Sequence, residues 1–242
     1  MLIALVSAKG APGVTTGALV LAAATDNSLM LEFDPSGGSI ESWTDSPSEP
    51  GLLRVANALR RAMEPDAVRV GARSSPPGLA VVHSPASGMM TESSIAAIGE
   101  RLPIAMDGAP ETVILDCGRW SRTQTTSRRL VGVDAITIVC TPTVPGLSVA
   151  IPLIESLEAV TTLRPSLLLV GDRPYSAAEV AAAANTTVIG ALPWDSRAVN
   201  ALLASGVTKS WIRSPLARAG AGAMSALRAM VEAGDANRGA VA

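Results

Sequence analysis

Aromatic side chains are nearly missing: 242 residues hold one Phe, one Tyr and four Trp, 2% of the chain. A core with so few rings has to be built from Ala, Val, Leu and Ile, which suits helices laid on a parallel sheet. Stacking platforms for single-stranded nucleic acid are correspondingly scarce. Cysteine is limited to Cys117 and Cys140, which excludes a disulfide scaffold. Each follows an apolar strand-like run, so both read as free core thiols. The one histidine, His83, ends a strand-like run with no partner motif, which fits a core or solvated residue better than a catalytic base. A net charge of −2 provides no global basic field for nucleic acid. Lysine is the rare cation, because of 19 basic residues only Lys9 and Lys209 are not arginine.

A membrane span is also missing from the pattern, although mean hydropathy is +0.35. The longest uncharged run lies between Asp134 and Glu155 and contains Pro142, Pro145 and Pro152, which break a spanning helix. The opening MLIALVSAKG has no basic leader and reads as a buried strand, not a secretory signal. A cytoplasmic protein is expected.

What is present is alternation. Hydrophobic residues make up 48% and charged residues 17%, which excludes a disordered chain. Apolar, strand-like runs occur at Leu2 to Ser7, Ser28 to Phe33, Gly78 to His83, Thr112 to Asp116, Ala135 to Cys140, Ser166 to Val170 and Thr187 to Ala191. Helix-period stretches lie between most of them: Thr15 to Ala24, Gly51 to Ala62, Glu92 to Arg101, Leu147 to Thr162, Ala177 to Ala184 and Arg197 to Ala204. A closing helix spans about Pro215 to Glu232. This predicts an α/β fold: a single doubly wound, mostly parallel sheet with helices on both faces. One domain is expected over residues 1–234, with 235–242 as a flexible tail. The stretches Ser42 to Gly51 and Gly71 to Pro77 read as surface loops.

The first strand runs into Ser7-Ala8-Lys9-Gly10-Ala11-Pro12-Gly13-Val14-Thr15-Thr16 and then into an Ala/Leu helix. Strand, glycine-bearing turn and helix N-terminus is the context in which backbone amides cradle phosphates. Thr15 and Thr16 fit two roles equally, as helix caps or as ligands of magnesium and phosphate. The G-x-x-x-x-G-K-[ST] pattern is broken by Ala8 at its first Gly and Val14 at its Lys.

The segment resembles the deviant Walker A loop, K-G-G-x-G-K-T-T, of the MinD/ParA family of P-loop ATPases. Four further motifs follow in the family's order: Leu31-Glu32-Phe33-Asp34-Pro35, Val113-Ile114-Leu115-Asp116-Cys117, Thr141-Pro142, and Gly190-Ala191-Leu192-Pro193-Trp194-Asp195 with Gly206. The resemblance spans nearly the whole chain, to about Glu232. It implies a nucleotide-sandwich homodimer in which Lys9 reaches the partner's phosphates. Loop residues Gly10, Ala11, Pro12, Gly13 and Val14 would surround the phosphates, Thr15 would bind magnesium and Thr16 the α-phosphate. Asp34 would orient the attacking water and Asp116 would hold magnesium through water. Asp172, Arg173, Pro193 and Asp195 would lie near the adenine, though the family's Asn before Arg173 is replaced by Asp172. Bland readings stand beside these: Asp34 as turn chemistry before Pro35, and Asp116 as the cap of a turn.

The departures predict weakened chemistry. A lysine at position 14 would touch the β- and γ-phosphates, and its loss removes about 1.5–3 kcal/mol. Pro12 has no N–H for the phosphate nest. The resemblance therefore implies a pseudo-ATPase or weak nucleotide binder, with ATP and Mg as its ligands. It would act as a positioning or assembly factor in cell division, DNA partitioning or pilus/secretion assembly, through dimerisation and an unknown protein partner. The alternative is a slow but genuine Mg-ATP-dependent ATPase switch in which Arg119 or Arg122 replaces the lysine. A dethiobiotin-synthetase-like ligase would need that lysine too. Nonspecific DNA contact would use Arg60-Arg61 and Arg128-Arg129, which otherwise form solvated faces. The tail has no Lys/Arg cluster for membrane attachment, so packing on the sheet is expected. Trp43 and Trp120 follow the two switch-like motifs and mark a candidate partner surface.

Overall fold

The six residues of β1 (Leu2–Ser7) are all buried, as a strand covered on both faces requires. Strand pleating splits them between two apolar layers: Leu2, Ala4 and Val6 pack on one side of the sheet, Ile3 and Leu5 on the other. Burying each such Leu or Val contributes about 1.5–3 kcal/mol, and with Phe33 the one Phe in the core the sheet is held by aliphatic contacts. The computed structural model describes residues 1–9, 12–44, 51–121 and 129–239.

After α1 (Val14–Ala23) come β2 (Ser28–Glu32), α2 (Ile40–Trp43), α3 (Gly51–Leu59), α4 (Pro65–Arg69), β3 (Ala72–Ser74), β4 (Ala80–Val82), α5 (Gly88–Ile98) and α6 (Arg101–Ala105). The second half holds β5 (Thr112–Arg119), β6 (Ala135–Cys140), α7 (Val144–Glu158), β7 (Ser166–Val170), α8 (Ala177–Ala184), β8 (Val188–Leu192), α9 (Ser196–Ser205), α10 (Lys209–Ile212) and α11 (Pro215–Gly239). Polar residues start several helices. Thr143 accepts the Gly146 N–H at α7, and Ser176 with Glu179 forms a reciprocal capping box at α8. Among the described residues no helix is long and apolar enough to cross a membrane.

The sheet order is β3-β4-β2-β5-β1-β6-β7-β8, parallel throughout except for the β3–β4 pair. Helices α1, α9, α10 and α11 cover one face and α3 to α8 the other. The link out of β1 runs toward β2, whereas β5 leads across to β6 on the opposite side. Ligand crevices form at the carboxyl ends of strands where the winding reverses in this way.

Three expectations need correction. Ala72–Ser74, expected in a loop, is an antiparallel edge strand whose order comes from pairing with Ala80–Val82, a tertiary contact that three residues cannot encode. Strand β5 does not stop at Asp116 but continues to Arg119. Helix α11, expected to end at about Glu232, runs on to Gly239. Both cysteines are free and buried, and burial pushes each thiol up to about 12, so they are inert core groups.

Candidate functional site

A cavity of about 620 Å³ opens at the carboxyl ends of β1, β2, β5, β7 and β8. Gly13 delivers the chain into it. With φ 92° and ψ 33° it occupies the left-handed region that favours glycine, and its carbonyl accepts the Gly17 N–H at 2.7 Å. No side chain caps α1, so the N–H groups of its first turn are not spent on a cap. Pro12, Gly13, Val14, Thr15, Thr16 and Asp34 all line the cavity, and so do Pro193 and Asp195 from the turn after β8. Val14 is only 6% exposed and belongs to the apolar layer beneath α1. The side chain at position 14 is therefore taken up by packing. Gly10 and Ala11 lie outside the described residues.

Asp116 is fully buried below the loop. Burial pushes its carboxyl from 3.8 up to about 7, and the charges of Asp34 and Glu32 add to the rise. The Thr15 hydroxyl and the Gly118 N–H, at 3.1 Å, work against it. A hard cation is the partner that would relieve such a carboxylate, since magnesium is commonly held by one or two protein oxygens plus the phosphates of its substrate. The adjacent Thr15 hydroxyl and Asp116 carboxylate therefore fit magnesium. Among the described residues no cluster of three or more metal-ligating side chains exists, so such an ion would rely on a bound phosphate. Asp34 is half-buried, and its Oδ1 accepts the Ser36 N–H at 2.9 Å, the turn chemistry of the bland reading. Its other oxygen packs against Gly118, where φ is +59° and a Cβ would come within 1.8 Å of Asp34 Oδ2.

Two buried side chains, Glu32 and Arg129, place these carboxylates; neither was expected to support the site, since Glu32 figured only inside a motif and Arg129 only in a surface arginine pair. Burial alone would raise Glu32, but His83 and the N–H groups of Ile40, Ser39 and Ser84 hold it below its ordinary value. Those N–H distances are 2.9, 2.7 and 3.1 Å, and His83 Nδ1 lies 3.5 Å away. Glu32 thereby ties the turn carrying Asp34 to the end of β4, and His83 is a core residue as expected. Arg129 is 1% exposed. Its guanidinium donates to the carbonyls of Phe33 and Arg119, each at 3.4 Å, and to that of Cys117. It braces the ends of β2 and β5 from below and feels the charges of Asp34 and Asp116. The Arg128-Arg129 pair is thus not a solvated face or a DNA patch at Arg129. The interior has little room for a cation, and three carbonyls turn inward there to satisfy it.

Other predicted residues are not brought together. Lys9 is exposed and lines a separate cavity of about 210 Å³ beside Thr141, Val149 and Pro145, sharing only Pro12 with the main one. Asp172 and Arg173 are exposed and line neither cavity. Asp195 Oδ1 caps α9 by accepting the Ala198 N–H at 2.9 Å. Trp120 is buried in the core and offers no partner surface, whereas Trp43 and the 80% exposed Trp194 both line the main cavity. Arg122 and Arg128 lie outside the described residues. Arg119 lines the cavity, and a bulge in β5 that pattern reading does not reveal is what carries it there.

No protein-family model matches the chain, and no curated protein matches it by sequence. Solved structures do match by shape. A ParA family ATPase from Chlorobium tepidum superposes with a TM-score of 0.73 at 20% identity, over 93% of this chain and 98% of that one. The septum site-determining protein MinD of Pyrococcus horikoshii, in complex with Mg-ADP, gives 0.65 at 15% identity over 92% and 93%. The MinC:MinD cell division protein complex of Aquifex aeolicus gives 0.68 at 15% identity over 94% and 95%. The fold is that of the MinD/ParA-type P-loop ATPases.

Proposed function

We propose that this chain is a MinD/ParA-like positioning or assembly factor that binds a nucleotide weakly at the main cavity, with ATP hydrolysis absent or very slow. The observation that carries the reading is Val14, packed into the core at the first residue of α1 where the phosphate-contacting lysine would stand. Pro12 removes one amide from the same loop. The anion-binding features that remain are the uncapped first turn of α1 and, for a magnesium ion, Thr15 and Asp116. Magnesium bound there would screen the phosphates against Asp34 and Asp116. The chain's own part is to hold those carboxylates in place through Glu32 and Arg129.

Lys9, exposed and directed to a second cavity, is free to serve a homodimer in which it meets the other copy. Cell division, DNA partitioning and pilus or secretion assembly are the processes in which such a dimer and a protein partner would act, in the cytoplasm. Nonspecific DNA contact is left with Arg60 and Arg61, both exposed, as its one described arginine pair. A second reading, a slow Mg-ATP-dependent switch, is favoured by the gathering of Thr15, Asp34 and Asp116 at one loop.

Calorimetric titration of nucleotide-stripped protein with Mg-ATP separates these readings. Micromolar to millimolar binding with no phosphate release supports the pseudo-ATPase, whereas turnover favours the switch. Absence of heat at millimolar ATP from folded protein rejects both. Val14→Lys should tighten Mg-ATP about tenfold to a hundredfold if the rest of the loop is intact, and no gain would mean the loop has drifted by more than this residue. Sedimentation with and without Mg-ATP tests the dimer.

A further inference from the structure

Among the described residues that line the main cavity, Asp34 and Asp195 are anionic and a single side chain, Arg119, is cationic. We propose that Arg119 grips the phosphate end of the ligand in this cavity, in place of the lysine that position 14 lacks. The proposal rests on the nucleotide reading above and names the residue that would make it work.

The local structure is built to present this side chain. Strand β5 runs three residues past Asp116, and its register against β1 slips by one, so that Leu5 pairs with Asp116 but Ser7 with Arg119. The extra residue is taken up around Gly118, whose φ of +59° lies in the left-handed region. Such bulges re-aim the side chain that follows, and they recur beside active sites. The backbone around Arg119 is then fixed from two sides. The Trp120 N–H donates to the Ser7 carbonyl at 2.8 Å, and the buried Arg129 guanidinium donates to the Arg119 carbonyl at 3.4 Å. Above this anchored backbone the Arg119 side chain is exposed and has no ion-pair partner among the described residues.

Charge and geometry both select phosphate. The two anions that line the cavity are already engaged, Asp195 in capping α9 and Asp34 in its own turn. The uncapped first turn of α1 supplies amides on the same cavity wall, and a guanidinium supplies the planar fork that matches two phosphate oxygens at once. The remaining wall, with Val170, Leu192, Pro193 and Leu216, is apolar, so the ligand has an anionic end and a less polar body.

The test is a calorimetric comparison of wild type, Arg119→Ala and Arg119→Lys at low salt against three probes: Mg-ATP, Mg-tripolyphosphate and adenosine. The Arg119 side chain is exposed and has no ion-pair partner among the described residues, so both variants should fold with a melting temperature near that of wild type. Arg119→Ala should weaken Mg-ATP and Mg-tripolyphosphate about tenfold to a hundredfold, leave adenosine unchanged, and flatten the salt dependence. Arg119→Lys should recover part of the loss. Wild type that binds Mg-ATP and an Arg119→Ala variant that binds it equally well would overturn the Arg119 proposal alone. Equal loss of adenosine and Mg-ATP would overturn it too, because the residue would then be shaping the wall. Tripolyphosphate binding that needs Arg119, without any gain from adenosine, supports the proposal and removes the nucleotide reading. Silence toward all three probes overturns both.

Discussion

Asp116→Asn at fixed temperature, compared with wild type across pH, is the most direct probe of the buried charge beneath the loop. Burial raises the Asp116 carboxyl from 3.8 to about 7, so between those values the folded protein binds a proton that the unfolded chain has released. Stability therefore falls as pH climbs through that window, by roughly 1.4 kcal/mol per pH unit where the unfolded chain is ionised and the folded chain is not. Across the full shift the charged form costs on the order of 4 kcal/mol. Asparagine keeps the shape and the acceptor for the Gly118 N–H but carries no charge. The Asn variant should match wild type near pH 4 and outlast it at pH 8 by a few kcal/mol, on the order of 10 °C in melting temperature for a domain of this size. The repulsion between Glu32 and an ionised Asp116 exists only in wild type and adds to the difference at pH 8. Urea unfolding at half-unit steps from pH 4 to 8 reads the difference. Curves that run parallel over the whole range would refute the reasoning, because they would mean that Asp116 is charged in the folded protein without penalty. Added Mg-nucleotide should narrow the gap at pH 8 by stabilising the carboxylate only in wild type.

Gly118→Ala places a methyl group on the Asp34 carboxylate at a left-handed backbone position. It should cost about 2–3 kcal/mol in unfolding free energy from backbone strain and the displaced turn, read by urea titration, with loss of any Mg-ATP binding. Arg129→Leu strips three carbonyls of their donor and removes the buried cation beside Asp34 and Asp116. A destabilisation of about 3–5 kcal/mol is expected, and Arg129→Lys should fall between the two because it keeps the charge but cannot reach all three carbonyls.

Most of the fold was legible in the local apolar pattern of the chain. Runs such as Leu2–Ser7, Ala135–Cys140 and Ser166–Val170 are continuous apolar segments bounded by turn residues, and the structure ends those strands where the pattern does. The Ala-rich helix Ala177–Ala184 was equally legible because its capping box is local. Loop residues Pro12 to Thr16 with Asp34, Pro193 and Asp195 could be named in advance because their motifs resemble those of the MinD/ParA family, and parallel strands that share one direction bring such strand-end motifs to one crevice. Which of the named residues meet depends on how distant segments pack. It placed Lys9 in a separate cavity and left Asp172 and Arg173 outside both. It also buried Arg129, which the sequence pattern showed only as half of an arginine pair, and brought Arg119 to the cavity through a bulge. Apolar periodicity records which face of an element avoids water, and that information is local. The burial of a charge depends on carbonyls and carboxylates contributed from residues tens of positions away, and the one-residue slip between β1 and β5 is a property of the pair, so neither leaves a signature in a single stretch of chain.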